Sequence, residues 1–201
     1  GLEKFKKFMI DMGLIYPIKF DIEEVGNPVP FNWGKCKLAT ASYGHGITTT
    51  ILQLTNAYSI IANGGYEVKS TLIKKNSYPI GKKILNENVS KKILNILRKI
   101  VSTKEGTASL ANVSGYEVAG KTGTAEKSKI GGYSRKKINT FASIFPSSNP
   151  KYSIVVMLDE PKINSEYIYS YRDGSGMKYK GTPFNTAGWT SVEVTGKIIE
   201  K

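Results

Sequence analysis

Cysteine, histidine and arginine are scarce in this chain, and each scarcity removes a class of chemistry. Cys36 is the single cysteine. No internal disulfide and no multi-thiolate metal site can form from it, and the redox compartment stays open. His45 is the single histidine. A Ser-His-Asp hydrolase would need it as base, but it stands in "YGHG", a glycine-flanked turn ahead of a helix. It reads as structural, with an accessory role near a cleft as the lesser reading. There is no His/Cys/Asp/Glu cluster at ligand spacing, so neither a metal nor any other cofactor is expected. No apolar run is long enough to span a bilayer. The chain also opens without methionine, directly in the helix-like "GLEKFKKFMIDMG", and its true N-terminus is expected upstream.

Charge of one sign dominates what remains. Lys and Arg number 29 against 16 Asp and Glu, a net charge of +13. Such an excess suits an acidic partner, or forms a lysine-rich solvated surface. Only Arg98, Arg135 and Arg172 are arginines. Base and phosphate recognition leans on the planar guanidinium fork, so no nucleic-acid partner is expected. Hydrophobic residues at 40% and charged residues at 22% mark a globular chain. Its 201 residues suffice for one domain or for part of a larger one.

Residues 2 to 12 place Leu2, Phe5, Phe8, Met9 and Met12 on one helical face, and Gly13 is positioned to end that helix. Residues 16 to 34 hold Pro17, Pro28 and Pro30 and read as an irregular connection. Thr48 or Thr49 can cap a helix whose inner face carries Leu52, Leu54, Tyr58 and Ile61, stopped by Gly64 and Gly65. "YEVKSTLIK" follows as a short extended piece. Residues 88 to 102 form the clearest amphipathic helix, with Val89, Ile93, Ile96, Leu97, Ile100 and Val101 on one face. A basic amphipathic helix can lie on a membrane, but inside a globular chain packing onto a core is the stronger reading.

Three strands are expected at residues 116 to 125, 139 to 145 and 152 to 159. "PSSNPK" reads as a tight reversal and "KSKIGGYSRKK" as a longer basic loop. Residues 164 to 182, rich in Tyr and Gly, read as an exposed loop, and "GWTSVEVTGKIIEK" as a closing helix. Asp159 and Glu160 read as solvated. Helices first and a meander later give an α+β fold, with helices packed on an antiparallel sheet.

"GYEVAGKTGTAEK" holds the candidate site. In an ideal strand Lys121 and Gly123 share one face, and Thr122 and Thr124 share the other. A glycine weakens a strand interior and lets another backbone come close. An edge strand offers unpaired N–H and C=O groups to an extended peptide, while the ammonium and hydroxyls can hold a carboxylate. A solvated lysine beside strand-favouring threonines is the plain alternative, and an isolated K-T-G would favour it.

The tripeptide is not isolated. "LATASYGHGITTTILQLTNAYSIIANGG", "STKEGTA", "YEVAGKTGTAEK", "FASIFPSSNPKYSIVVMLDEP" and "NTAGW" stand in an order that resembles the transpeptidase domain of class B penicillin-binding proteins, above all the division type, over residues 1 to about 199. K-T-G is one signature of that superfamily. The resemblance implies the β-lactamase-like α+β fold and a serine acyl-transferase that cross-links peptidoglycan and is acylated by β-lactams. It implies that Lys121 holds the substrate carboxylate and supports proton traffic. Thr122 and Thr124 would bond that carboxylate, and the Thr124 N–H would be one of two oxyanion donors. Gly123 would let the D-alanyl end pass close to the strand. Implied partners are the peptidoglycan stem peptide on a lipid-linked glycan strand, β-lactams, and a division glycosyltransferase. The implied location is the periplasmic face of the inner membrane, held by an N-terminal anchor outside this chain.

Two further signatures, S-x-x-K and S-x-N, should precede K-T-G, and neither has a credible match upstream of Lys121. "SRKK" from Ser134, "SNPK" from Ser148 and "SGMK" from Ser175 fit the first, and Ser147 with Asn149 fits the second. All lie after the K-T-G strand, where a nucleophile helix cannot be. Residues 1 to 201 are therefore expected to be the C-terminal portion of one transpeptidase domain, inactive alone, with three C-terminal strands of the sheet present; the alternative is a catalytically inactive penicillin-binding-like module used for binding or scaffolding, and the lesser one a basic nucleic-acid-binding domain. Thr50 stands where the family usually opens a helix with proline. Residues 164 to 182 exceed the family norm and could contact glycan or a division partner, or be an insertion without a role. Glu105 in "KEGTA" is given no catalytic role.

Overall fold

The computed structural model describes residues 1–22, 32–34, 36–181 and 184–201. Two compact units divide the chain, Gly1–Val89 and Ser90–Lys201.

In the first unit, helix α1 (Leu2–Asp11) buries Met9, with Met12 beside it. Gly13 ends it at φ +74°, a conformation glycine adopts without a Cβ clash. The N–H of Leu14 reaches the Met9 carbonyl and that of Gly13 the Ile10 carbonyl, which satisfies two terminal acceptors. A short helix α2 (Lys37–Ala41) precedes α3 (Ile51–Ala62). The cap of α3 is Thr50, not Thr48 or Thr49. Its hydroxyl accepts from the Gln53 N–H at 3.1 Å, and the Gln53 side chain accepts from the Thr50 N–H at 2.8 Å. That reciprocal pair needs a Gln three residues after the cap, and only Thr50 has one. The Gln53 amide also donates to the Tyr16 carbonyl at 2.9 Å. The buried face of α3 is accordingly Gln53, Asn56, Ala57, Ile60 and Ile61. Leu52, Leu54 and Tyr58 are half-buried. "YEVKSTLIK" forms no strand; a lone bridge joins Tyr66 to Lys83. Of the irregular connection, residues 23–31 lie outside the described residues.

The second unit opens on α4 (Glu87–Ser102), most of whose length belongs to it. Its buried positions are Ser90, Leu94, Leu97 and Val101, a strict three-to-four spacing. Val89 is 44% exposed and Ile96 60% exposed, so the inner face is turned from the expected one. Arg98 sets that orientation, because its guanidinium donates to Asn112 Oδ1 at 2.9 Å and to the Val118 carbonyl at 2.8 Å. These bonds tie α4 to the segment entering the sheet.

The three expected strands are present as β1 (Ala119–Lys129), β2 (Gly132–Phe145) and β3 (Tyr152–Asp159), antiparallel in the order β1-β2-β3. The supposed basic loop is instead a continuation of β1 and β2 as a two-stranded ribbon. Lys129 pairs with Gly132 across a tight turn at Ile130 and Gly131, with a bulge between Glu126 and Ser128. Gly131 at φ +79° supplies the conformation the reversal demands. Asp159 and Glu160 are not merely solvated: Lys127 meets both at 3.0 Å, and Lys136 meets Glu160 at 2.9 Å. Those lysine contacts hold the Glu160 carboxyl below its ordinary range.

The tyrosine-rich stretch contains a hairpin, β4 (Ile168–Ser170) with β5 (Lys178–Lys180), and residues of the core. Residue 182 of the expected loop lies outside the described residues. After the 3-10 turn Ala187–Trp189, helix α5 (Ser191–Glu200) packs on β2 and β3. The core gathers Val101, Leu110, Val118, Phe141, Phe145, Tyr169, Val192 and Ile199.

Arg172 pins the hairpin segment to α5. Its guanidinium bonds both Glu193 oxygens, at 2.7 and 3.0 Å, and Glu200 at 2.9 Å. It also donates to the Leu110 carbonyl at 2.9 Å, and the Tyr167 hydroxyl donates to Glu193 at 2.8 Å. Both Arg172 and Glu193 are buried, so removing one charge strands the other. Arg172→Ala is expected to lower stability by about 3–5 kcal/mol in urea unfolding. The double variant Arg172→Met, Glu193→Leu should recover most of that loss.

Candidate active site

β1 is an edge strand: β2 pairs one side of it, and no described strand pairs the other. The register sets Lys121 opposite Ala142, Thr122 opposite Phe141, Gly123 opposite Thr140 and Thr124 opposite Asn139. Directly paired residues share a face. Thr122 and Thr124 therefore lie on the face of Phe141 and Asn139, and Lys121 and Gly123 lie on the other, as the alternation requires.

The four residues differ from their neighbours in exposure. Ala119 and Gly120 are buried, whereas Lys121, Gly123 and Thr124 are exposed and Thr122 half-exposed. The two glycines of the strand have different causes. A Cβ at Gly120 would stand 2.5 Å from Phe141 Cζ and 2.7 Å from the Ala142 carbonyl oxygen, so packing within the protein demands glycine there. A Cβ at Gly123 would meet nothing closer than the Thr140 oxygen at 3.9 Å, and its φ is not left-handed. Neither packing nor backbone conformation of this chain requires glycine at 123.

Lys121 Nζ donates to the Thr122 carbonyl at 2.7 Å and lies 3.4 Å from the Thr122 hydroxyl. No carboxylate pairs with it among the described residues. A cation and a hydroxyl thus meet at the strand, a combination that receives a carboxylate. Two contacts behind the strand were not foreseen. Thr107 Oγ1 stands 3.0 Å from Thr122 Oγ1, and the Ala187 N–H donates to Thr124 Oγ1 at 3.0 Å. Both partners sit in stretches that carry the family resemblance, "STKEGTA" and "NTAGW". Only the fold brings them to β1. An open hollow lined by Lys104, Thr107, Ser109, Tyr171 and Trp189 adjoins Thr107.

The remaining candidates fall elsewhere. Ser134 is in β2 and Ser175 in the turn ahead of β5. The Ser148 hydroxyl donates to the Glu117 carboxylate, and its N–H does so at 3.1 Å. Those bonds hold Glu117 below the usual carboxylate range, and among the described residues that hydroxyl bonds the carboxylate rather than a lysine. His45 lies beside Tyr43, ring stacked on ring. Glu105 is exposed in the connection after α4. Among the described residues no group of three or more metal-ligating side chains comes together.

Fold and strand together define a penicillin-binding transpeptidase domain. The family model "Penicillin binding protein transpeptidase domain" matches residues 1–176, and the chain belongs to that family. Among curated relatives it is 30% identical over its whole length to the probable peptidoglycan D,D-transpeptidase FtsI of Caulobacter vibrioides, covering 34% of that protein. It is 35% identical to stage V sporulation protein D of Bacillus subtilis, over 81% of this chain and 27% of the relative. The chain spans about a third of the length of these relatives. Among solved structures, the apo transpeptidase domain of penicillin-binding protein 3 from Burkholderia pseudomallei superposes with a TM-score of 0.80 at 27% identity, covering 98% of this chain and 56% of that one. Penicillin-binding protein 3 from Mycobacterium tuberculosis, complexed with ampicillin, gives 0.78 at 26%, covering 99% and 45%. The fold is the α+β transpeptidase fold.

The two glycines should separate in experiment. Gly120→Ala is expected to lower urea-unfolding stability by about 1–3 kcal/mol, through overpacking against Phe141. Gly123→Ala should leave stability unchanged or raise it by up to about 1 kcal/mol.

Proposed function

We propose that this chain is the C-terminal portion of a serine-type D,D-transpeptidase domain that cross-links peptidoglycan during division. β1 is its substrate strand. The observation that carries the reading is the free edge at residues 121–124. A cation and two hydroxyls border a glycine whose missing side chain the protein itself does not need. An extended peptide can add to that edge by main-chain hydrogen bonds, and Gly123 keeps its path open.

In this reading Lys121, Thr122 and Thr124 receive the terminal carboxylate of a D-Ala-D-Ala stem, and the ammonium of Lys121 also supports proton movement near the nucleophile. A serine from polypeptide upstream of this chain attacks the carbonyl carbon of the penultimate D-Ala. Charge develops on the carbonyl oxygen, and the Thr124 N–H is one of two donors to it. The C–N bond breaks, and terminal D-Ala leaves with the proton the serine gave up. The amine of a second stem then attacks the acyl-enzyme, forming the cross-link and restoring the serine hydroxyl. A β-lactam enters the same site and stops at the acyl stage. The relatives called peptidoglycan D,D-transpeptidase and the neighbour solved with ampicillin support this assignment. The substrate is a stem peptide on a lipid-linked glycan strand. The working site is the outer face of the cytoplasmic membrane, with a division glycosyltransferase as partner.

Fluorescent penicillin tests the reading. The full-length gene product should label covalently, and the 201-residue chain alone should not. In the full-length protein, Lys121→Ala should slow labelling by about a hundredfold or more. A full-length protein that never labels would identify a binding module without catalysis.

A further inference from the structure

The polar groups behind β1 form a connected set that ends on Thr124. Asn139, opposite Thr124 in the ladder, is fully buried. Its amide nitrogen donates to Asn185 Oδ1 at 2.8 Å and to Thr190 Oγ1 at 2.9 Å. Thr190 Oγ1 in turn donates to the Thr186 carbonyl at 2.9 Å, and the Asn185 amide donates to the Pro161 carbonyl. Residues 185–190 are thus fastened at both ends, and the first residue of their 3-10 turn, Ala187, aims its N–H at Thr124 Oγ1. Trp189, two residues on, is held between the Tyr169 and Tyr179 rings at 5.0 and 5.2 Å.

We infer that the Ala187 N–H, held in place by Asn139, is a positioning group that aims the Thr124 hydroxyl proton at the substrate carboxylate. The inference rests on the reading that Thr124 binds that carboxylate. A threonine hydroxyl has one proton and two lone pairs. An N–H fixed behind the oxygen occupies a lone pair and bars the proton from that side. The hydroxyl then presents its proton on its exposed side, and the ligand does not have to reorient it. A donor set in advance is worth more than one that must be ordered on binding. Thr122 has a comparable neighbour in Thr107, but there either oxygen can donate, so only Thr124 has a fixed direction.

The backbone at this point allows a clean test. Ala187 is fully buried and its N–H points at Thr124 Oγ1, so a proline there would drive its ring carbon into that oxygen. Replacing Ala187 by lactic acid, which turns its amide N–H into an ester oxygen, removes the donor and adds no atom at that buried position. In the full-length protein, acylation by a fluorescent penicillin should fall about threefold to tenfold, the range of one neutral hydrogen bond. The same penicillin with its carboxylate esterified should react at a rate the substitution does not change. In a Thr124→Val background, the Ala187 ester should have no further effect. Asn139→Ala, which releases the segment without touching Ala187, should give a smaller loss with the same dependence on the carboxylate. Equal slowing of penicillin acid and penicillin ester, or slowing that persists beside Thr124→Val, would overturn the inference, since a general loosening of the fold would do that. If Thr124→Val slows acylation and the Ala187 ester does not, the inference falls alone. If Thr124→Val itself acylates at the unsubstituted rate, Thr124 is no ligand, and the reading of that residue falls with the inference.

Discussion

The ladder between β1 and β2 pairs Thr122 with Phe141 and Thr124 with Asn139, and the remaining architecture of the site follows from that register. Phe141 is fully buried in the core, so its face of the sheet cannot turn to solvent. The two threonines are thereby held toward the layer of α5 and the 187–189 turn, and Lys121 and Gly123 are held away from it. A slip of one residue would exchange these positions. It would also bury an ammonium, which the fold could not satisfy. Gly120 reinforces the choice, since only a glycine fits against Phe141 there.

That layer is itself anchored by charge. Arg172 reaches α5 through Glu193 and Glu200 and reaches the 109–111 turn through the Leu110 carbonyl. The same arginine therefore ties two of the stretches that line the hollow beside Thr107, the 109–111 turn and its own segment next to Tyr171, to α5. A stretch that reads as a surface insertion thus does structural service through the buried Tyr169 and Arg172, while β5 and the turn ahead of it stay exposed. The basic ribbon beyond Glu126 is braced in a similar way, by the carboxylates at the end of β3. There the groups are exposed, so the contribution of each pair is small and weakens with salt.

The four longer helices, the three strands and the K-T-G edge were legible because each rests on signals within a few residues: apolar spacing, glycine stops and alternation; the short α2 carried no such signal. The helix faces were less so. In α3 the buried positions include Gln53 and Asn56, which periodicity of apolar residues skips. Gln53 is inside because it completes a cap and reaches Tyr16. In α4 the face turned because Arg98 bonds residues that lie 14 and 20 positions along the chain. The ribbon was missed because lysines in "KSKIGGYSRKK" suggest a loop, while the strand pairing continues through them.

The chain's chemistry was thus written locally. K-T-G-T in an extended segment already fixes which side chains alternate and which position lacks one, because a strand's period is a property of its own backbone. Sequence order alone could not say that Gly120 answers to packing and Gly123 to nothing inside the chain, nor that Thr107 and Ala187 stand behind the two threonines. Those facts depend on groups 15 and 63 residues apart meeting at about 3 Å. Such meetings exist only once the ladder, the core and the Arg172 ion pairs have closed together.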